Sequence, residues 1–305
     1  MAEQENHPAR LRRLAQAKAA HFAERDDLAA VAITGSVARG RLWAGSDVDL
    51  WAFSKSGEEA FHDGVEEGIY WEIDIAPLSS LEIPIGPETG LHPPRVTDQD
   101  EISMVEALAG CQIVKDETGA LYRVQQAINA RVGDWRWLRR RAGRYLSYGR
   151  GFVESLHYAP PLDAIVLARE AATRYGIAAY WMGAGALLTS AMRIPEQLAH
   201  APEIHRLYRE IFSLNGEEGW EQFLQAYRML PITIQEATLA DLQREALPTA
   251  RRGYYDGALR YMRSVLGDRR EAEPVQPLLV PGGNLEVRRR RVLRQVEALL
   301  ELCEP

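Results

Sequence analysis

Two acids one residue apart, Asp47 and Asp49, interrupt an apolar run in the stretch ITGSVARGRLWAGSDVDLWAFS, Ile33 to Ser54. Burying one unpaired carboxylate is costly and two side by side repel, so the pair asks either for exposure or for a cation. Oxygen donors on one strand face suit a hard divalent ion such as Mg2+, completed by water and a substrate phosphate. Gly35 and Ser36 stand upstream, separated from Asp47 by ten residues. They read as the end of a strand and the turn into a short helix, where the leading N–H groups lack internal partners and favour anions. Gly35 lets the backbone approach a phosphate closely, and the Ser36 hydroxyl adds a donor. A third carboxylate on a neighbouring strand, Asp74, would complete a two-metal site. Such a site holds the attacking and leaving oxygens of a phosphoryl transfer in line, with the metals about 3.5–4 Å apart.

These residues need a sheet behind them. LAAVAIT (28–34) reads as a short buried strand and VDLWAF (48–53) as a second. Alternation puts Asp47, Asp49 and Trp51 on one face and Val48, Leu50 and Ala52 on the other. In IYWEIDIAPL (69–78), Ile69, Trp71, Ile73 and Ile75 share one face while Tyr70, Glu72 and Asp74 share the opposite one. Apolar positions from Pro8 to about Arg25 recur at helical spacing and predict a first helix. The acidic segment 57–68 reads as a short helix or loop, and the Pro/Gly-rich segment 83–95 as a loop. A helix near 99–109, a strand in CQIVKD and a helix near 118–131 follow.

From Asp134 the texture is helical, with stretches at 135–157, 161–190, 202–213, 217–229, 233–246, 249–266 and 284–302; Asp163 and Asn284 are candidate helix caps. The expected fold class is α+β, with a mixed sheet flanked by helices followed by an all-α bundle. The boundary falls near 131–134, giving a domain of residues 1–132 and a substrate-binding domain of residues 133–305.

The residues T34-G35-S36, the ten-residue spacing and D47-V-D49-L resemble the signature of the DNA polymerase beta-like nucleotidyltransferase superfamily. Within it, GSVARGRLWAGSDVDL looks most like the minimal and the bacterial antibiotic nucleotidyltransferases, over about residues 28–131. The resemblance implies Mg2+-dependent transfer of a nucleoside monophosphate, with ATP as the usual donor, to a hydroxyl. Carried over by position, it implies metal binding at Asp47 and Asp49, with Asp74 as the third acid. Gly35 and Ser36 would hold the β,γ-phosphates, and Arg39 and Ser46 occupy positions that often assist there. Three candidates remain for deprotonating the acceptor: Asp74, which is preferred, Glu72 on the same strand face, and Glu170 in the helical half. If Asp74 ligates metal its pKa falls and it becomes a weak base.

Composition narrows the partners. The net charge of −7 argues against extended nucleic-acid binding and suits a small cationic acceptor, and the resemblance to antibiotic nucleotidyltransferases implies that it is an antibiotic such as an aminoglycoside or lincosamide. Glu170, Asp163 and Glu72 could hold its ammonium groups. No apolar run reaches the roughly 18 residues that span a bilayer. With no apolar leader, a cytoplasmic location is expected, and a homodimer is compatible with the resemblance. Two cysteines, Cys111 and Cys303, offer neither a disulfide framework nor metal-ligand spacing. The arginines at 136, 139, 140, 141, 144 and 150 read as a solvated helix face. Competing readings are a toxin–antitoxin enzyme acting on protein or tRNA, and a nucleotide-binding regulatory module without catalysis.

Overall fold

The computed structural model describes residues 7–40, 42, 46–82, 107–184, 193–281 and 284–303. The chain divides into two compact units, Met1–Asp134 and Trp135–Pro305.

The first unit is a five-stranded mixed sheet in the order β3-β4-β2-β1-β5. Its strands are β1 (Leu28–Ile33), β2 (Val48–Ser54), β3 (Ala60–Glu66), β4 (Ile69–Pro77) and β5 (Gln112–Asp116). β1 pairs antiparallel with β2 and β5, β2 runs parallel to β4, and β3 runs antiparallel to β4. Helix α1 (His7–Ala23) buries Leu11, Leu14, Ala15, Ala19 and Phe22. They pack against Val31, Ile33, Val48, Leu50, Ile73 and Ile75 in one core. The alternation of β2 and β4 commits these apolar side chains to that core, so Asp49, Trp51, Glu72 and Asp74 emerge on the other sheet face. A one-turn helix α2 (Gly35–Ala38) follows β1, and α3 (Ala120–Val132) follows β5.

The segment 57–68 differs from its expected helix or loop: it is the edge strand β3, closed onto β4 by a turn in which Glu67 (φ 52°) and Gly68 (φ 73°) are both left-handed. Two consecutive left-handed residues match the right-handed twist of a tight hairpin. As an edge strand, β3 is largely exposed on both faces and shows no burial alternation in its sequence. Arg13 donates to Glu67 Oε2 at 2.7 Å, and Lys18 meets Glu66 at 2.6 Å, so α1 holds this hairpin. The expected loop at 83–95 and most of the expected helix at 99–109 lie outside the described residues.

The second unit is helical: α4 (Trp135–Leu156), α5 (Pro161–Ala184), α6 (Pro202–Phe212), α7 (Gly216–Tyr227), α8 (Ile232–Asp241), α9 (Tyr255–Gly267) and α10 (Leu285–Cys303), joined by shorter turns. Asn284 caps α10, its Oδ1 accepting the N–H groups of Glu286 at 2.9 Å and Val287 at 3.2 Å. Asp163 is no cap: it lies inside the first turn of α5 and accepts from Arg270 Nε. After α8 a π-turn (Leu242–Ala246) leads directly into Leu247–Arg251, and the break falls at Gly253 (φ 87°). Pro248 lacks an N–H and its ring crowds the carbonyl four residues back, which shifts the hydrogen-bond ladder at this point. Arg141 departs from the expected solvated face. It is 5% exposed, and its guanidinium lies over the rings of Trp137 (4.9 Å) and Trp181 (5.1 Å). Among the described residues, no helix is long and apolar enough to cross a membrane.

Candidate active site

Thr34 leaves the end of β1 and donates its N–H to the Asp49 carbonyl at 2.8 Å, clamping the turn to β2. Gly35 then takes φ 62°, a conformation that disfavours side chains. A Cβ at Gly35 would lie 1.6 Å from Asp49 Oδ2. Gly35 is therefore required twice, for its dihedral and because the Asp49 carboxylate occupies the space of its missing side chain. Helix α2 is a single turn, too short for the macrodipole that a helix N-terminus brings to an anion. What the turn offers a phosphate is its leading N–H groups and the Ser36 Oγ, which is buried with no hydrogen-bond partner among the described residues. Arg39 ends the turn, its stem packed against the backbone at Gly110, where a Cβ would lie 3.0 Å from Arg39 Cγ. Ser46 is buried just ahead of Asp47.

The acids follow from sheet register. Asp49 pairs with Glu72, and Trp51 with Asp74, across the parallel β2–β4 ladder. β3 adds Asp63 opposite Glu72. Asp63, which sequence reasoning does not single out, accepts from the Tyr70 hydroxyl at 2.9 Å. Its strand lacks the pattern that would have placed it beside the other acids. Adjacent strands lie about 4.8 Å apart, so these carboxylates feel one another directly. Burial, followed by the charges of Asp47, Asp74 and Asp63, pushes Glu72 up to about 7. Burial raises Asp47 as well.

Among the described residues, no group of three or more His, Cys, Asp or Glu side chains converges closely enough to hold a metal ion. Mg2+ seldom needs such a cage. One or two carboxylates, waters and substrate phosphates normally complete its shell. Two observations fit that requirement: the acids destabilise one another in the absence of positive charge, and the unsatisfied Ser36 hydroxyl lies in the turn that Asp49 fills. Asp47 and Asp49 would hold the ion, with Asp74 the adjoining acid.

The repulsion has a measurable consequence. Glu72 carries a folded-state pKa raised from 4.5 to about 7. The protonated form is thus favoured on folding, and the stability it confers is full below pH 4.5 and declines as pH rises towards 7. Discounted for solvent screening, the loss is about 1–2 kcal/mol. In a chelator, Glu72→Gln should melt several degrees above wild type at pH 8, and the two should coincide near pH 4.5. Equal melting temperatures at pH 8 would contradict the crowding of these acids.

Glu170, the remaining candidate base, lies half-buried on α5 in the second unit, where its charge acts on Tyr208. Asp163, expected to help hold a cationic acceptor, is engaged by Arg270.

No curated protein matches the chain. Among solved structures, it is similar to a nucleotidyltransferase-like protein from Exiguobacterium sibiricum at 11% identity and a TM-score of 0.36. That alignment covers 95% of this chain and 74% of the other. Residues 18–106, which contain the Gly35 turn, β2 and β4, match the family model of the nucleotidyltransferase domain, and this supports nucleotidyl transfer as the general activity.

Proposed function

We propose that the chain transfers AMP from ATP, with Mg2+, to a hydroxyl group of a small cationic molecule, an antibiotic of the aminoglycoside or lincosamide class. The observation that carries this reading is the approach of the Asp49 carboxylate into the space of the absent Gly35 side chain. It brings the acid assigned here to metal and the turn assigned here to phosphate into contact, and that supports a shared site for a metal-bound triphosphate.

In this reading the turn at Gly35 and the Ser36 hydroxyl would bind the β,γ-phosphates, assisted by Arg39 and Ser46, while Asp47 and Asp49 would hold metal with Asp74 as the adjoining acid. When bound, two Mg2+ ions supply charge neutralisation on the triphosphate and in-line alignment of the entering and leaving oxygens. The acceptor hydroxyl gives its proton to the Glu72 carboxylate as its oxygen bonds to the α-phosphorus. The bond from that phosphorus to the bridging oxygen breaks, and pyrophosphate leaves with the electron pair. Glu72 suits this task better than Asp74. Desolvation is the largest cause of its raised pKa and persists when cations offset Asp47 and Asp74. Its neighbours Asp63 and Asp74 give the face a negative field, which favours a polyamine-like acceptor over an anionic one.

Incubating the full chain with α-labelled ATP, Mg2+ and a panel of aminoglycosides and lincosamides tests the reading. Label in one antibiotic, with equimolar pyrophosphate, is the expected result. Label in the protein or RNA of an added lysate would overturn the acceptor class, and no pyrophosphate with any acceptor would overturn the transfer itself.

A further inference from the structure

The second unit contains a cavity of about 750 Å3 beside the C-terminal end of α6. Five arginines line it, Arg206, Arg209, Arg263, Arg288 and Arg291, together with one carboxylate residue, Glu210. Part of this cluster has a structural task. A helix end leaves its last carbonyls without partners, and α6 ends in Ser213 at φ 57°. Arg263 donates Nε to Leu278 O at 3.0 Å and Nη1 to Phe212 O at 2.5 Å and Ser213 O at 2.9 Å. Arg288 Nη2 donates to Glu210 O at 2.8 Å and to Ser213 Oγ. Arg169, behind them, donates to Ile211 O and Leu279 O.

Capping accounts for those hydrogen bonds but not for the charge. The end of α6 carries about half a negative charge, against the three full positive charges of Arg169, Arg263 and Arg288. Arg169 and Arg263 are 3% and 5% exposed, so water does little to screen them. Burial lowers Arg263 to about 9, with the Arg288 charge adding to the fall, and both Arg263 and Arg288 act in the same direction on Arg169. The carboxylates nearby are already engaged. Glu210 meets Arg206 at 2.8 Å, Arg291 at 3.5 Å and the Gln295 amide at 2.5 Å. Asp256 meets Arg209 at 2.8 Å. One donor remains for a ligand: Arg263 Nη2 has no hydrogen-bond partner among the described residues, while Arg288 Nε, also without a partner among them, is closed off from solvent.

We infer that this cavity is a binding site for a small phosphate-bearing anion, held by Arg263 and Arg288 at its inner end and by Arg206 and Arg291 at its rim. Guanidinium forks match phosphate oxygens two at a time, and the volume suits a phosphorylated small molecule. The charge excludes the cationic acceptor proposed above, so this is a second site with a different ligand.

Calorimetry on the full chain in EDTA, with inorganic pyrophosphate and AMP as probes, tests it. One anion should bind per chain, with affinity falling as NaCl is raised. Arg288→Met should weaken binding about tenfold or more. Because Arg288 also caps α6, a second variant is needed. Arg206→Gln with Arg291→Gln changes side chains that are each 56% exposed, and should weaken binding severalfold at an unchanged melting temperature. Asp49→Asn should bind the probes as wild type does. A preference for AMP would identify a nucleotide as the ligand, and a preference for pyrophosphate a compact polyphosphate. No binding of either probe to wild type at about 10 mM, equal binding by wild type and the arginine variants, or binding lost in Asp49→Asn would each overturn the inference.

Discussion

Asp49→Asn should lower Mg2+-dependent pyrophosphate release by about three orders of magnitude, equivalent to roughly 4 kcal/mol of transition-state stabilisation. The change is nearly isosteric and removes one charge from a donor that would bind metal. It spares the backbone bond from Thr34 N–H to Asp49 O, which is made by the main chain. The fold should therefore survive, with a melting temperature within a few degrees of wild type. Turnover close to wild type in this variant would refute the role given to Asp49.

Gly35→Ala should be as damaging to activity, by a different route. The methyl group would stand 1.6 Å from Asp49 Oδ2 and 2.6 Å from its Cγ, so either the carboxylate or the turn must move. Strain at φ 62° adds about 1–2 kcal/mol. Gly68→Ala separates the two causes. Gly68 also has a positive φ, 73°, but no heavy atom lies within 4 Å of its added Cβ. Gly68→Ala should lose stability by about 1–2 kcal/mol and keep its activity. Gly35→Ala should lose at least a hundredfold in activity beyond any loss of stability, measured as pyrophosphate release under conditions where both variants are folded. Equal activities in the two variants would show that Asp49 does not depend on the open space at Gly35.

The sheet was legible wherever a strand is buried on at least one face. β1 is buried throughout, while β2 and β4 alternate as inward apolar and outward acidic residues. β3 was not legible, because an exposed edge strand owes its existence to pairing with β4 and to the Glu67-Gly68 turn. With β3 hidden, Asp63 could not be placed opposite Glu72. In the helical unit, periodicity located the long helices but not the π-turn ahead of Pro248. Arg141 reads as solvated by residue type, yet two tryptophans stack on its guanidinium and allow it to be buried. Asp163 reads as a cap by its position, but its partner Arg270 lies 107 residues away in sequence. At the candidate site, spacing draws attention to Gly35, Asp47 and Asp49. It does not reveal that Asp49 fills the glycine's empty side, since that approach is set by β1–β2 register.

We propose that the acids of β2, beside the Gly35 turn, hold divalent cations together with a triphosphate. Electron paramagnetic titration of Mn2+ into the full chain, with a non-hydrolysable ATP analogue, measures this. About two ions should bind per wild-type chain in the presence of the analogue. That binding should collapse in Asp47→Asn and Asp49→Asn while circular dichroism stays unchanged. Equal Mn2+ uptake by wild type and both variants would contradict it.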